Sequence, residues 1–195
     1  MLDCAMASQR GKRTNAPDVD EARMREIFHF TAGTFDTPYP TPFGALIVNT
    51  KTGRRLICTS NAVMREKDPS SHAELRAVRL ACKQLGNPSL AGFTMYSTCE
   101  PCPMCMSNAL WASLDRVVYG AVIADANRHC RQIQIPAKEV ALRSDMRCVV
   151  EGPVLRKLCA TLFTDPKMQK AFRMWSSRKR DSPRRQRERR DLHGS

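Results

Sequence analysis

The sequence predicts an α/β protein, a three-layer α/β/α sandwich built on a mixed five-stranded sheet. Short apolar runs of strand length alternate with amphipathic stretches of helical periodicity, as expected for a sheet covered by helices. The first two apolar runs flank a short polar turn at 49–53, which predicts an antiparallel hairpin. The last two are separated by residues 123–146, which is long enough for a helical crossover, so we expect those strands to be parallel.

One domain accounts for most of the chain. With 195 residues, of which 42% are hydrophobic, the chain can bury one core, and we expect a single domain over residues 18–177. The polar, unpatterned residues 1–17 are expected to be a disordered N-terminal segment. The net charge is +13 and residues 178–195 are rich in arginine, which predicts a basic disordered tail. The alternative for this tail is an arm that binds phosphate groups in a salt-dependent way.

The N-terminal half of the domain reads as a helix, a hairpin and a second helix. Met24 and Ile27 recur at helical spacing behind an acidic first turn. Three prolines then interrupt the pattern, and a second helical pattern after the hairpin stops at Gly86. The elements expected here are a helix at 18–33, a loop at 34–42, strands at 43–48 and 55–60, a polar loop at 61–71 and a helix at 72–85.

The C-terminal half continues with strands and helices in alternation. Pro103 suits the first turn of a helix, and Trp111 near the end of that helix is assigned to the core. In the last helix, Phe172 and Trp175 are expected in the core or in a dimer interface, and the alternative is that they contact substrate. The elements expected here are a strand at 93–97, a helix at 103–112, a strand at 116–122, a helical stretch at 138–143, a strand at 147–151, a helix at 154–163 and a last helix that begins at 165–166.

Two short motifs, His-x-Glu at 72–74 and Cys-x-x-Cys at 102–105, carry the ligands of an open metal site. Zinc prefers thiolate sulfur and imidazole nitrogen, and a catalytic zinc keeps three protein ligands and one water. His72, Cys102 and Cys105 supply three ligands, which leaves Glu74 to accept the proton of that water. His72 and Glu74 cannot share a helical face at this spacing. The metal is therefore expected beyond the N-terminal ends of two helices, where the helix dipole favours thiolates.

The cysteine content indicates a reducing compartment. Nine cysteines, an odd number at irregular spacing, do not suggest a disulfide framework. The first residues hold no apolar stretch of signal-peptide length, and no run in the sequence approaches the length of a membrane span. We therefore expect a soluble, cytoplasmic protein that has no membrane partner.

These motifs, with others along the chain, resemble those of the cytidine deaminase-like superfamily. A His-x-Glu followed by Pro-Cys-x-x-Cys is the signature of zinc-dependent deaminases that act on bases. The resemblance covers about residues 24–176 and is greatest to the branch that holds guanine deaminases and tRNA adenosine deaminases. It implies the α/β/α fold, one Zn²⁺ per chain and a homodimer. The other matching segments are 42–45, Asn61, 68–69, 96–101 and 117–121.

The resemblance also implies the roles of individual residues. From the residues alone, Asn61 is as readily explained as a turn residue and Phe43 as a core aromatic. Cys99 is expected to be a small buried thiol, and the alternative is that it completes a closed structural Cys3His zinc site. The expected site residues are the catalytic Glu74, the metal ligands His72, Cys102 and Cys105, and the substrate-binding residues Asn61, Phe43 and Ala73.

The implied reaction is the hydrolytic removal of an exocyclic amine from a nucleobase or nucleoside, with release of ammonia. A small-molecule substrate of guanine or cytosine type is expected. This chain lacks the acidic pair that guanine deaminases carry near residues 130–133, which keeps cytosine or another aminated ring open. The alternative substrate is an adenosine in tRNA. The non-enzymatic alternative is a deaminase fold that binds zinc or RNA without turnover.

Overall fold

The structure, a computed structural model, describes residues 16–180 as a five-stranded sheet with helices on both faces. The strands are β1 (Gly44–Asn49), β2 (Arg55–Ser60), β3 (Phe93–Cys99), β4 (Arg116–Ala121) and β5 (Val149–Glu151). The helices are α1 (Ala16–Ala32), α2 (Val63–Glu66), α3 (Ala73–Leu85), α4 (Pro103–Trp111), α5 (Ile123–Asn127), α6 (Ala137–Leu142), α7 (Arg156–Thr164) and α8 (Pro166–Arg180), and a 3₁₀ turn at Gly33–Asp36 follows α1.

The sheet is mixed, with strand order β2-β1-β3-β4-β5. β1 pairs antiparallel with both β2 and β3, whereas β3, β4 and β5 run parallel to one another. The expected hairpin and the expected parallel pairing of the last two strands are therefore confirmed. Because β3 is the central strand, the residues that follow it emerge at the middle of the edge where open α/β sheets bind ligands.

Helices cover both faces of the sheet, so the expected three layers are present. Neighbouring residues of a strand point to opposite faces, and the buried side chains accordingly form two clusters. Met95 and Val117 belong to the cluster that joins α3, α4 and α6 to the sheet. Leu46 and Val118 belong to the cluster that joins α1, α7 and α8 to the opposite face. The site residues at the end of β3 thus stand on a strand that is packed on both sides.

Gly120 in β4 allows α7 to lie directly against the sheet. A Cβ atom at this position would come within 2.9 Å of the Thr98 carbonyl oxygen and would overlap the side chain of Cys159 in α7. Backbone and a buried side chain cannot both move aside for it. A residue without a side chain is therefore required where β4 passes between β3 and α7.

Trp111 is the clearest error of the sequence-based prediction. It was assigned to the core, but its side chain is 76% exposed at the end of α4. The preceding residue, Leu110, is buried together with Met106 and Ala109. One further residue turns the side chain by about 100° around the helix axis, since the helix has 3.6 residues per turn. Trp111 therefore points away from the sheet.

The predicted boundaries differ from the observed ones mainly at short elements and at the chain ends. The short helices α2 and α5 were not predicted, because four or five residues are too few to show a helical period. α1 begins at Ala16 and α8 ends at Arg180, so both helices reach into the segments expected to be disordered. The rest of those segments lies outside the described residues. Within 16–180, no helix is both long and apolar enough to cross a membrane.

Candidate active site

His72 and Cys102 each precede the first turn of a helix. His72 is the N-cap residue of α3 and Cys102 that of α4, and both have extended backbone conformations. Pro103 occupies the first position of α4, where its missing N–H costs no hydrogen bond. Cys105 and Glu74 lie in the first turns of the two helices. The expectation that these residues meet at the N-terminal ends of two helices is confirmed.

The three expected ligand atoms have the spacing of a tetrahedral zinc site. The Nδ1 atom of His72 lies 3.7 Å from Sγ of Cys102 and 3.5 Å from Sγ of Cys105. Ordinary zinc–sulfur and zinc–nitrogen bond lengths in a tetrahedron separate sulfur from nitrogen by about 3.6 Å. All three atoms lie within 4.8 Å of one another. The donor set and its dimensions therefore fit zinc.

The electrostatics of the two thiols also favour a bound cation. The hydrogen bond with Cys105 lowers the pKa of Cys102 to about 4, although burial opposes this. The same hydrogen bond, together with burial, raises the pKa of Cys105. Hydrogen bonding to Cys102 raises the pKa of His72 despite the opposing effect of burial. The two thiols and the imidazole share protons at close range. A divalent cation would displace these protons, because it stabilises both thiolates and the neutral imidazole.

Glu74 lies beside this cluster. Its side chain is buried, and burial raises the pKa of the carboxyl group above its ordinary value. Oε1 accepts a hydrogen bond of 3.0 Å from Oγ of Ser97 in β3, and Oε2 lies 3.5 Å from Sγ of Cys105. A carboxyl group with a raised pKa can both accept and return a proton near neutral pH. Ser97, which sequence analysis did not assign, fixes its orientation.

A cavity of about 640 Å³ opens above the cluster. Its size lies within the range of roughly 300–1,000 Å³ that is usual for small-molecule sites. Hydrophobic and aromatic side chains form much of its wall, and the ionisable groups lie among them. The lining residues are Phe43, Asn61, Val63, Met64, Pro69, His72, Glu74, Glu100, Cys102, Met104, Cys130, Arg131, Gln132, Ile133 and Trp175.

Two of the three expected substrate-binding residues line this cavity. Asn61 does so while its Oδ1 accepts the Val63 N–H at 3.0 Å, so it also has the turn role that the sequence suggested. Phe43 lines the cavity and packs edge-on against Phe163, with ring centroids 5.4 Å apart. Ala73 is fully buried and does not line the cavity, and its carbonyl oxygen accepts a hydrogen bond from Thr59. The substrate-binding roles of these residues remain predictions.

Cys99 lies apart from the ligand group. The groups in the described chain that could hold a metal comprise only His72, Cys102 and Cys105. Cys99 is buried, its sulfur lies 4.0 Å from the Val122 carbonyl oxygen, and burial raises the pKa of its thiol. These observations fit the expected small buried thiol and give no support to a closed Cys3His site.

Glu100 and Trp175 belong to the cavity wall but were not assigned to it from the sequence. Glu100 accepts hydrogen bonds from the backbone N–H groups of Ile123 at 3.2 Å and Ala137 at 3.0 Å, so it fastens two later loops beside the site. Trp175 was expected in the core or an interface, with contact to substrate as the alternative. It lines the cavity, in line with that alternative, and packs on the buried Phe172. The i, i+3 spacing of Phe172 and Trp175 predicted an apolar helix face. It did not predict which part of the protein that face covers.

Comparison with known proteins identifies a matching family model and relatives of similar sequence. The family model described as the cytidine and deoxycytidylate deaminase zinc-binding region matches residues 18–121, more than half of the chain. The chain is 45% identical over 85 residues to a guanine deaminase of Bacillus subtilis, an alignment that covers 44% of this chain and 53% of that protein. It is 37% identical over 81 residues to a tRNA-specific adenosine deaminase of Aquifex aeolicus, covering 42% of this chain and 52% of that protein.

The structural comparison extends the similarity beyond the aligned sequence. A guanine deaminase from Nitrosomonas europaea superposes with a TM-score of 0.70 at 18% identity, over 86% of this chain and 96% of that one. At this identity the match establishes the shared fold. The chain spans about half the length of the two curated relatives described above. The ligand geometry and the common fold agree with the matched family model. The chain therefore belongs to the cytidine and deoxycytidylate deaminase family and contains its zinc-binding region.

Proposed function

We propose that this protein is a zinc-dependent hydrolase that removes an exocyclic amine from a nucleobase or nucleoside and releases ammonia. The observation that carries this proposal is the meeting of three zinc-type ligands and one buried carboxyl group beside a single cavity, which His72, Glu74 and Cys102 line. The zinc ion itself is part of the proposal. A structural zinc site would use a fourth protein ligand, whereas the ligand group found among the described residues has only three members.

A few side chains would carry out the steps of the reaction. His72, Cys102 and Cys105 would hold one zinc ion, which supplies a Lewis acid that makes water acidic near neutral pH. Glu74 takes one proton from the attacking water and delivers it to a ring nitrogen, and then carries the second proton, from the new hydroxyl on the ring carbon, to the departing amine, so that the C–N bond breaks and ammonia leaves. The hydrogen bond from Ser97 keeps one oxygen of Glu74 fixed during these transfers.

The substrate is proposed to be a small aminated heterocycle of guanine or cytosine type. The 45% identity to a guanine deaminase over 85 residues supports this class, and the largely apolar cavity suits a flat ring. An adenosine in tRNA is the second candidate, because a tRNA-specific adenosine deaminase is also among the relatives. A flipped-out base would have to enter the same cavity. A homodimer, which the resemblance implies, and a cytoplasmic location, which the cysteine content indicates, complete the proposal.

The test is ammonia release by the zinc-loaded full chain across a panel of free bases, nucleosides and unmodified tRNA. We expect turnover of at least one free base or nucleoside. Turnover of tRNA alone, with a steep dependence on salt, would select the second candidate. A chain that holds zinc stoichiometrically but releases no ammonia from any member would favour the non-enzymatic binding protein.

A further inference from the structure

An unbroken series of ring contacts joins two residues of the cavity wall. Phe43 packs edge-on against Phe163, whose ring stacks on His129 at a centroid distance of 6.0 Å. His129 stacks in turn on Phe172, also at 6.0 Å, and Phe172 packs edge-on against Trp175 at 5.4 Å. Both ends of the series, Phe43 and Trp175, line the cavity. The imidazole is therefore the central ring of an arc that spans the site without reaching the metal ligands.

Gln169 fixes the chemical form of this imidazole. Its Nε2 donates to the Phe163 carbonyl oxygen at 2.6 Å and lies 3.0 Å from Nδ1 of His129. Because a carbonyl oxygen only accepts, the amide nitrogen must be the atom at this position, and its second hydrogen then points at Nδ1. Nδ1 must therefore be an acceptor. Only the neutral imidazole with its proton on Nε2 meets that requirement.

A protonated imidazole would break this arrangement in either orientation of the amide. With the nitrogen of Gln169 in place, two N–H groups would face each other. With the amide reversed, its oxygen could accept from the imidazolium but would then face the Phe163 carbonyl oxygen at close range. No carboxylate contacts the ring in the described part of the chain. The charged residues on the elements around it are Asp125, paired with Arg156, then Arg128, Arg131, Lys157, Asp165, Lys167, Lys170 and Arg173.

The backbone of His129 also leads into a second part of the cavity wall. Its backbone N–H donates to the Ala126 carbonyl oxygen at 2.9 Å, and the next residue, Cys130, donates to the same oxygen at 3.0 Å. Cys130 begins the run 130–133, all of which lines the cavity. One side chain thus contacts α7 and α8 while its own backbone starts the loop that forms the adjoining wall.

We propose that neutral His129 is a positioning residue for the cavity, which holds Trp175 in the wall through Phe172 and releases it when the imidazole is protonated. His129 touches neither the ligand cluster nor the substrate space, so it acts through α8. The proposal depends on the proposed function only for the identity of the molecule that fills the cavity. Its structural part can be tested without any turnover.

The test uses the fluorescence of Trp175 in the zinc-loaded full chain. The sequence contains two tryptophans, so Trp111→Phe leaves Trp175 as the sole reporter. In that background, lowering the pH from about 8 to about 5 should shift the emission to the red and increase quenching by acrylamide. His129→Phe preserves the ring stack without a titratable group and should abolish this change. His129→Ala should give the exposed signal already at the upper pH.

A control variant separates His129 from the other histidines. His29→Phe removes an imidazole that packs on Phe28 in α1 and should leave the pH response intact. His72 is present in every variant, so a response caused by loss of zinc would persist in His129→Phe. A response of the same size in His129→Phe would overturn the proposal. So would a Trp175 signal in His129→Ala that matches the parent while circular dichroism shows both chains folded.

Kinetics supply a readout that depends on the proposed function. With whichever substrate the panel identifies, His129→Ala should raise KM about tenfold, the size of one aromatic contact, and change kcat little. His129→Phe should restore KM at the upper pH. An equal loss of kcat and no change of KM would contradict a positioning role in the wall. If the panel yields no substrate, the fluorescence series still decides the proposal.

Discussion

Asp20 ties α1 to the sheet, and its replacement by asparagine should destabilise the protein measurably. The carboxylate is buried and accepts hydrogen bonds from Oη of Tyr96 at 2.8 Å and from Nη1 and Nη2 of Arg116 at 2.8 and 2.6 Å. Breaking a buried ion pair costs about 3–5 kcal/mol. Because Arg116 keeps a second partner in Glu151, we expect the lower end, about 3 kcal/mol. That corresponds to a fall in Tm of about 6–12 °C for a domain of this size.

The pH dependence of this loss follows from the pKa of Asp20. Burial would raise that pKa, but the hydrogen bonds from Arg116 and Tyr96 outweigh burial and hold it below its ordinary value. A carboxyl group with a depressed folded-state pKa stabilises fully above its unfolded pKa of about 3.9 and loses this contribution as the pH falls through the folded value. The difference between parent and Asp20→Asn should therefore be constant from pH 5 to 7 and narrow only below about pH 4.

Urea unfolding of both chains at several pH values measures this difference, and Glu151→Gln is the matched control. Glu151 contacts the same arginine, but its side chain is 48% exposed, and exposed pairs contribute about 0–1 kcal/mol. The reasoning is refuted if Asp20→Asn costs no more than Glu151→Gln. It is refuted equally if the cost of Asp20→Asn grows as the pH is lowered.

Two further predictions concern the metal and the tail. Cys102→Ser and Cys105→Ser should each lose zinc, because oxygen is a poorer ligand than thiolate for this ion, whereas Cys99→Ser should retain about one zinc per chain by atomic absorption. Zinc loss in Cys99→Ser would return the closed structural site to consideration. Deleting residues 181–195, which leaves α8 whole, should change turnover of a base or nucleoside little, because such a substrate offers no phosphate to the arginines. A large loss of activity, together with a weaker dependence of that activity on salt concentration, would indicate an RNA substrate.

Each half of the metal-ligand group, on α3 and on α4, was predictable from the sequence because its geometry is local. Cys102 and Cys105 are three positions apart, Pro103 marks where the helix starts, and the mismatch between His72 and Glu74 on a helix places the ligands at its tip. The strands were accessible for a similar reason, since short apolar runs and a polar turn fix the hairpin. Each of these features depends on neighbours within a few residues.

Apart from Phe43 and Asn61, which the resemblance implied, the cavity wall was not predictable, because it depends on packing between distant segments. Trp175 reaches the site only through the way α8 lies on α7, which no local pattern records. Glu100 is a motif residue, but its bonds to Ile123 and Ala137 depend on where two later loops return. The prediction for Trp111 was wrong for a simpler reason. In a helix as short as α4, the sequence does not show which of the last two apolar residues turns inward.

The most direct test of the central claim is the turnover of Glu74→Gln. Glutamine keeps the shape of the side chain and can still accept from Ser97, but it cannot carry a proton. With the substrate that the panel identifies, we predict unchanged zinc content and a fall in kcat of roughly 10²-fold to 10⁴-fold. Glu139→Gln, in an exposed ion pair on α6, is the control and should retain full activity. Near-normal turnover by zinc-loaded Glu74→Gln would contradict the proposed mechanism.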